Sequence, residues 1–176
     1  VFSVSQEMGL VNQIEHLGRS FSAKDTSNYN KVAPHDIVYT KSPLRDYPYG
    51  IVKQSKLDKD VSVSPLYGVF SPSNKHLGAI IEAYFESPYR SKSFIGPLAQ
   101  KGAKNTINIT NATFLSGMMA LPESEAEQQK IADCHRRPNP RNRCPQRAQE
   151  RTDAETFPQY QALKYNERHP KLQDLA

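Results

Sequence analysis

The side chains that could make or break bonds are all present in this chain, but none stands at the spacing its chemistry requires. A metal-dependent nuclease of the common type uses a carboxylate and a lysine as Glu-x-Lys or Asp-x-Lys, and neither pattern occurs in the 176 residues. A methyltransferase brings its backbone close to a nucleoside cofactor through a glycine-rich turn, yet the eight glycines never fall as Gly-x-Gly. Asn139-Pro140 is followed by Arg141, so the Asn-Pro-Pro-aromatic clamp of enzymes that methylate a flipped base is also missing. The five histidines, His16, His35, His76, His135 and His169, form no His-x-x-x-His pair. Cys134 and Cys144 have nine residues between them and no second ligand cluster, and they read as free thiols. No serine sits in Gly-x-Ser-x-Gly. The expectation is a protein without catalysis, metal or cofactor.

What the residue types do offer is recognition. Reading DNA requires side chains that reach base edges in a groove, with cations and small donors holding the phosphates in register. The stretch Lys41-Ser42-Pro43-Leu44-Arg45-Asp46-Tyr47-Pro48-Tyr49-Gly50 has two cations, two tyrosines and two turn prolines, and Lys53 follows it. Lys41, Ser42, Arg45, Tyr47, Tyr49 and Lys53 are therefore the first candidates for DNA contact. A second set lies in Gln100-Lys101-Gly102-Ala103-Lys104-Asn105, where amides can pair with adenine edges and lysines with phosphates; Gln100, Lys101, Lys104 and Asn105 are its candidates. Tyr39, Tyr67 and Phe70 read as core residues rather than base-stacking ones.

Charge supports this only weakly. The formal net charge of +5 divides unevenly, with 14 Lys+Arg against 13 Asp+Glu in residues 1–133 and 9 against 5 in residues 134–176. Most of the excess is in the tail, whose Arg136, Arg137, Arg141, Arg143, Arg147 and Arg151 could add non-specific attraction to phosphates. No apolar run approaches the roughly 18 residues that cross a bilayer, and Val1 to Gln6 lacks the build of a signal peptide. A soluble cytoplasmic protein is expected, and a first residue other than Met points to a fragment or an alternative start codon.

The elements that must position these residues are short strands and two helices. Phe2 to Tyr29 is polar and mixed, with a turn expected at Gly18-Arg19-Ser20. A proline-led turn feeds a strand through Val32–Tyr39, and Ile51-Val52, Val61–Val63 and Tyr67–Phe70 read as further strands between Pro, Gly, Asp and Ser breakers. Leu77, Ile80, Ile81, Tyr84 and Phe85 then fall on one helical face, with Ser73 or Asn74 to cap its start and Pro88 to stop it. Ile107–Ile109 and Met118–Leu121 read as late strands. Pro122 opens a second helix, in which Ser124 and Glu127 form a capping-box pair and which runs to about Asp133. From Cys134 onward there is no Val, Ile or Met, and five of the 13 prolines lie there, so residues 134–176 are expected to form a mostly disordered Pro/Arg-rich tail.

Three segments together carry a resemblance. They are Asn28 to Ser42 with Asp36-Ile37-Val38-Tyr39 at its centre, Tyr49-Gly50-Ile51-Val52 with Val63 to Phe70, and Leu121-Pro122 followed by Glu127-Gln128-Gln129-Lys130-Ile131-Ala132-Asp133. In this order and spacing they resemble a target-recognition domain of the specificity subunit of type I restriction-modification systems, over about three quarters of the chain. The resemblance implies an α/β domain with a curved mixed β-sheet region and a few helices, like the small recognition domain of adenine-N6 DNA methyltransferases. It implies double-stranded DNA as ligand, with a methyltransferase subunit and, through it, a nuclease and translocase subunit as partners that carry the catalysis. Residues 1–122 would be the reader and 123–133 the start of a linker helix, with Glu127, Gln128 and Gln129 available to the partner subunit. Two departures stand out. His35 occupies a position where the family usually has Gly, which matters little if the turn does not need positive φ. Pro138, Pro140 and Pro145 cut short the long linker helix, which points to a reading-frame change after about Asp133. A recognition segment from a fused restriction and modification enzyme, or a non-functional fragment, are the alternatives.

Overall fold

The computed structural model describes residues 1–17, 26–101, 107–136 and 163–165. The opening segment, expected to be irregular, forms a hairpin of β1 (Phe2–Ser5) and β2 (Gly9–Asn12), turned by Gly9 at φ +73°, and then a short α1 (Gln13–Leu17). The expected turn at Gly18–Ser20 lies outside the described residues. The strand expected through Val32–Tyr39 is two strands, β3 (Asn30–Val32) and β4 (Ile37–Tyr39), divided by the turn at Pro34-His35. After them come β5 (Val52–Gln54), β6 (Val61–Val63) and β7 (Gly68–Pro72).

These strands form two four-stranded sheets, the first in the order β2-β1-β6-β3. The second has the order β10-β7-β4-β5, in which β10 is Leu163–Tyr165. The period-2 alternation of β4 and β7 explains how the sheets stack. Val38 and Val69 face the first sheet, where they pack with Leu10, Val32, Val61 and Val63. Their neighbours Ile37, Tyr39 and Phe70 face the other way, into a larger core with the helices. The second sheet is thus a middle layer buried on both faces, which is why β4 and β5 read as continuous buried runs.

The helical layer is more numerous than expected. α2 (Lys75–Phe85) is capped by Asn74, whose Oδ1 accepts from the backbone N–H groups of His76 and Leu77 at 3.0 and 2.9 Å, and it buries Leu77, Ile81 and Phe85. Pro88 ends it as anticipated, but the same proline opens α3 (Pro88–Ile95) behind the N-cap Ser87. Proline favours the first helical turn as much as it forbids the middle, and its stop signal concealed a start signal. Beyond α3, β8 (Gln100–Lys101) pairs with β9 (Ile107–Asn108), and α4 (Asn111–Leu115) follows, capped by Thr110. Met118–Leu121 forms no strand beyond an isolated bridge at Met118; Met119 is buried and Leu121 packs half-buried on the core, while Met118 is exposed. α5 (Glu125–Arg136) starts on the expected cap, with the Glu127 N–H donating to the Ser124 hydroxyl at 3.2 Å, and runs three residues past Asp133. The tail is not without structure, because β10 extends the second sheet antiparallel to β7 in the register Leu163↔Pro72 to Tyr165↔Phe70 and covers an otherwise open edge.

His35 bears on the resemblance. It sits at φ +70°, so the turn before β4 does need the left-handed conformation that glycine adopts freely. The condition under which a side chain here matters little is therefore not met, although histidine tolerates this region better than most residues. Asp36 holds the turn, accepting from the Ala33 N–H at 2.9 Å and the Ser71 hydroxyl at 2.7 Å.

Candidate nucleic-acid interface

The loop of residues 41–50 leaves β4 at Lys41, which is itself left-handed at φ +53°. Leu44 and Tyr47 close a tight turn through reciprocal backbone bonds of 3.0 and 3.1 Å, and Gly50, at φ +84°, returns the chain to β5. A Cβ on Gly50 would stand 3.0 Å from the Tyr39 ring and 3.3 Å from the Lys41 backbone, so both conformation and space favour glycine there.

The two loop tyrosines point inward. The Tyr47 hydroxyl donates to the Glu86 carbonyl at 3.3 Å, one residue before the cap of α3. Tyr49 packs on the aromatic core, and its hydroxyl lies 3.5 Å from where a Cβ on Gly96, the C-cap of α3, would stand. Tyr39 adds a third tie, since its buried phenol donates to the Tyr49 carbonyl at 2.9 Å, and burial raises its pKa well above the ordinary tyrosine value. Tyr47 and Tyr49 are both half-buried, the first bonded to the backbone just before α3 and the second packed on the core. Ser42 and Arg45 are exposed at its outer side, with Leu44 48% exposed between them.

The lysines divide in the same way. Lys53 is only 5% exposed, its ammonium 3.1 Å from Glu86 and 3.6 Å from Glu82, which also pairs with Lys56 at 3.2 Å. With its charge neutralised inside the β5–α2 interface, Lys53 is a structural cation and not the phosphate contact expected of it. Lys41 is half-buried, its ammonium donating to Asn111 Oδ1 at 2.7 Å, and burial lowers its pKa from the usual lysine value. The second candidate segment arrives beside it, because the Ile107 N–H in β9 donates to the Lys41 carbonyl at 3.4 Å. Gln100 in β8 is exposed, the side chain of Lys101 is not described, and Lys104 and Asn105 lie outside the described residues.

Of the three candidates on α5, Glu127 and Gln129 are exposed but Gln128 is buried. Its amide donates to the Pro122 carbonyl at 2.8 Å and accepts from Asn74 Nδ2 at 2.8 Å. Gln128 therefore ties α5 to the cap of α2 and has no surface to offer a partner subunit.

One sequence signal went unread. From Ser87 to Pro122 there are 36 residues without a single Asp or Glu, and they include Arg90, Lys92, Lys101 and Lys104. The rest of residues 1–133 holds 10 Lys+Arg against 13 Asp+Glu, so a nearly neutral total conceals a basic stretch and an acidic remainder. α3, the β8–β9 hairpin and α4 all come from this acid-free stretch, and the loop of residues 41–50 is joined to it at Ile107 and Asn111 through Lys41, while the loop's own Asp46 and the neighbouring Glu86 are exposed carboxylates at its margin. Among the described residues no group of three or more His, Cys, Asp or Glu could hold a metal ion, and no helix is long and apolar enough to cross a membrane. No protein-family model, curated protein or solved structure matches the chain.

Proposed function

We propose that this chain is a sequence-reading DNA-binding domain that acts for partner enzymes, as the target-recognition domain of a type I specificity subunit does. One observation carries the reading. Two segments chosen for their groove-reading chemistry, 41–50 and 100–105, are separated by about fifty residues, yet the Ile107 N–H donates to the Lys41 carbonyl and so joins the loop to the second strand of the hairpin that Gln100 and Lys101 begin. A duplex presents about one negative charge per 1.7 Å of its axis, and a surface of one sign recruits it where a mixed surface of equal net charge does not. Ser42, Arg45 and Gln100 supply hydroxyl, guanidinium and amide on these two segments, the groups that pair with phosphates and base edges. The mixed α/β layering agrees with the coarse class that the resemblance implies, and the exposed Glu127 and Gln129 on α5 remain for a methyltransferase subunit.

An anisotropy titration of the full chain against a random-sequence duplex at low and physiological salt tests the reading. The wild type should bind with a steep salt dependence. Lys41→Ala combined with Arg45→Ala should weaken binding and lower the salt slope by about 1 for each phosphate contact removed. Equal binding by wild type and double variant would remove the loop from the interface, and no binding by the wild type at low salt would refute the reading. Co-expression with a methyltransferase subunit, followed by mapping of methylated adenines, then tests the partnership.

A further inference from the structure

Within the acid-free stretch of residues 87–122, α3 carries Arg90 and Lys92 and keeps one face exposed. We propose that α3 is the part of this domain that enters the major groove, with Tyr89, Lys92 and Ser93 at the base edges and the loop of residues 41–50 on the flanking phosphates. The inference rests on the DNA-binding reading above and goes beyond it by naming the reading element.

α3 has two unlike faces. Ser91, Phe94 and Ile95 are buried, with the Ser91 hydroxyl donating to the Phe85 carbonyl at 3.0 Å and Phe94 edge-on to Phe85 at 5.1 Å between ring centroids. Tyr89, Lys92 and Ser93, spaced i, i+3 and i+4, share the outward face and are all exposed. Tyr89 is 78% exposed, more than any other large hydrophobic side chain of the described residues. An aromatic ring with a hydroxyl tip, an ammonium and a small hydroxyl in one patch match the apolar, acceptor and donor features of the groove floor. Arg90 lies over the Tyr84 ring at 5.5 Å and stiffens the first turn from the side.

Geometry and rigidity agree with this role. With its side chains an α-helix is about 10–12 Å across and the major groove is about 12 Å wide, so the exposed face of α3 has the dimensions to enter it. The helix is capped by Ser87 and started by Pro88, with its inner face packed on the core through Phe94 and Ile95. A recognition element fixed on a packed core keeps its side chains in register better than a free loop would. A lipid surface fits poorly, because a basic amphipathic helix binds membranes through its apolar face and that of α3 is buried in the core.

Selection from a random-sequence duplex pool with the full chain decides the matter, using wild type, Tyr89→Ala, Lys92→Gln and Arg45→Ala. All three changes are at surface positions, and unchanged thermal unfolding confirms that each variant is folded. The wild type should enrich a consensus, and Arg45→Ala should enrich the same consensus at lower affinity. Tyr89→Ala and Lys92→Gln should lose preference at part of it, binding the selected site roughly tenfold more weakly while random duplex binds almost as before. If both α3 variants return the wild-type consensus at wild-type affinity, α3 is not the reader, although the DNA-binding reading stands. The inference also falls if the wild type binds duplex but enriches nothing, or if polyglutamate displaces duplex from wild type and α3 variants alike. Failure of the wild type to bind any duplex overturns the inference and the reading together.

Discussion

α3 and α5 both pack against α2, and they differ in charge and in attachment. α3 has no acidic residue, and it is held by rings: Phe94 meets Phe85, Tyr84 and Phe114 at centroid distances of 5.1, 6.4 and 5.5 Å. α5 has Glu125 and Glu127 in its first turn, and near its start it is held by the polar bridge of Gln128 to Asn74 and Pro122. The difference teaches that net charge is the wrong quantity to read for this protein. At physiological salt a surface charge is felt over about 8 Å, so the charges nearest a ligand at α3, Arg90 and Lys92 together with Glu86 just before the helix, count for more than the total. The two attachments also differ in kind: α3 is fixed by aromatic rings, whereas α5 lies along α2 with the small Ala132 fully buried and adds directed bonds through Gln128.

The largest expected effect comes from removing the hub of the aromatic side. Phe114 is fully buried and stacks with Tyr39, Phe70 and Phe85 at 4.9, 4.9 and 5.8 Å while Phe94 of α3 lies across it. Phe114→Ala should cost about 3–5 kcal/mol, read as a lower urea midpoint. Because these rings support both α3 and the loop through Tyr39 and Tyr49, duplex binding should fail at lower temperature than in the wild type. A stability loss below about 1 kcal/mol would mean that the aromatic cluster is not what holds the basic stretch.

Gln128→Ala acts on the other attachment and should cost less. It removes the donor to the Pro122 carbonyl and the acceptor for Asn74, leaving polar groups at a buried contact. About 1–3 kcal/mol is expected, again from urea unfolding, with no change in the duplex salt slope of the folded protein. A changed salt slope would show that α5 does contribute to the DNA-facing surface, and the contrast between the two helices would then weaken.

Much of this layering was legible in the sequence, and the misses have physical causes. The apolar spacing from Leu77 to Phe85 and the Ser124–Glu127 cap located α2 and the start of α5, because a long amphipathic period and a side-chain cap are local signals. α3 and α4 were missed because they are short, and their apolar positions are too few to show a period. β10 was missed because its strand character depends on pairing with β7 from the far end of the chain, which tail composition does not record. Among candidate contacts, residue type placed Arg45 and Ser42 correctly on the surface but not Lys53, Tyr47, Tyr49 or Gln128. Each of those four has a partner remote in sequence, and a polar side chain looks the same in a string of letters whether its partner is protein or ligand. The acid-free stretch was visible throughout, but averaging charge over residues 1–133 erased it.

The smallest expected effect is also the sharpest test of the contrast between the two flanks of α2. Glu127→Lys on α5 and Lys92→Glu on α3 change the net charge by two in opposite directions, and both residues are exposed. If total charge governed binding, the first would tighten duplex binding about as much as the second weakens it. If position governs, Lys92→Glu lowers both affinity and salt slope, the slope by about 1, because a phosphate contact is replaced by repulsion. Glu127→Lys then changes affinity less than about twofold at physiological salt, since α5 is outside the proposed contact and salt screens an exposed charge there. Its cost in stability is a few tenths of a kcal/mol to about 1, from the lost carboxylate at the helix N-terminus, and this gives an internal check that the substitution took effect. Symmetric responses from the two variants would mean that the segregation of charge along this sequence has no consequence for binding.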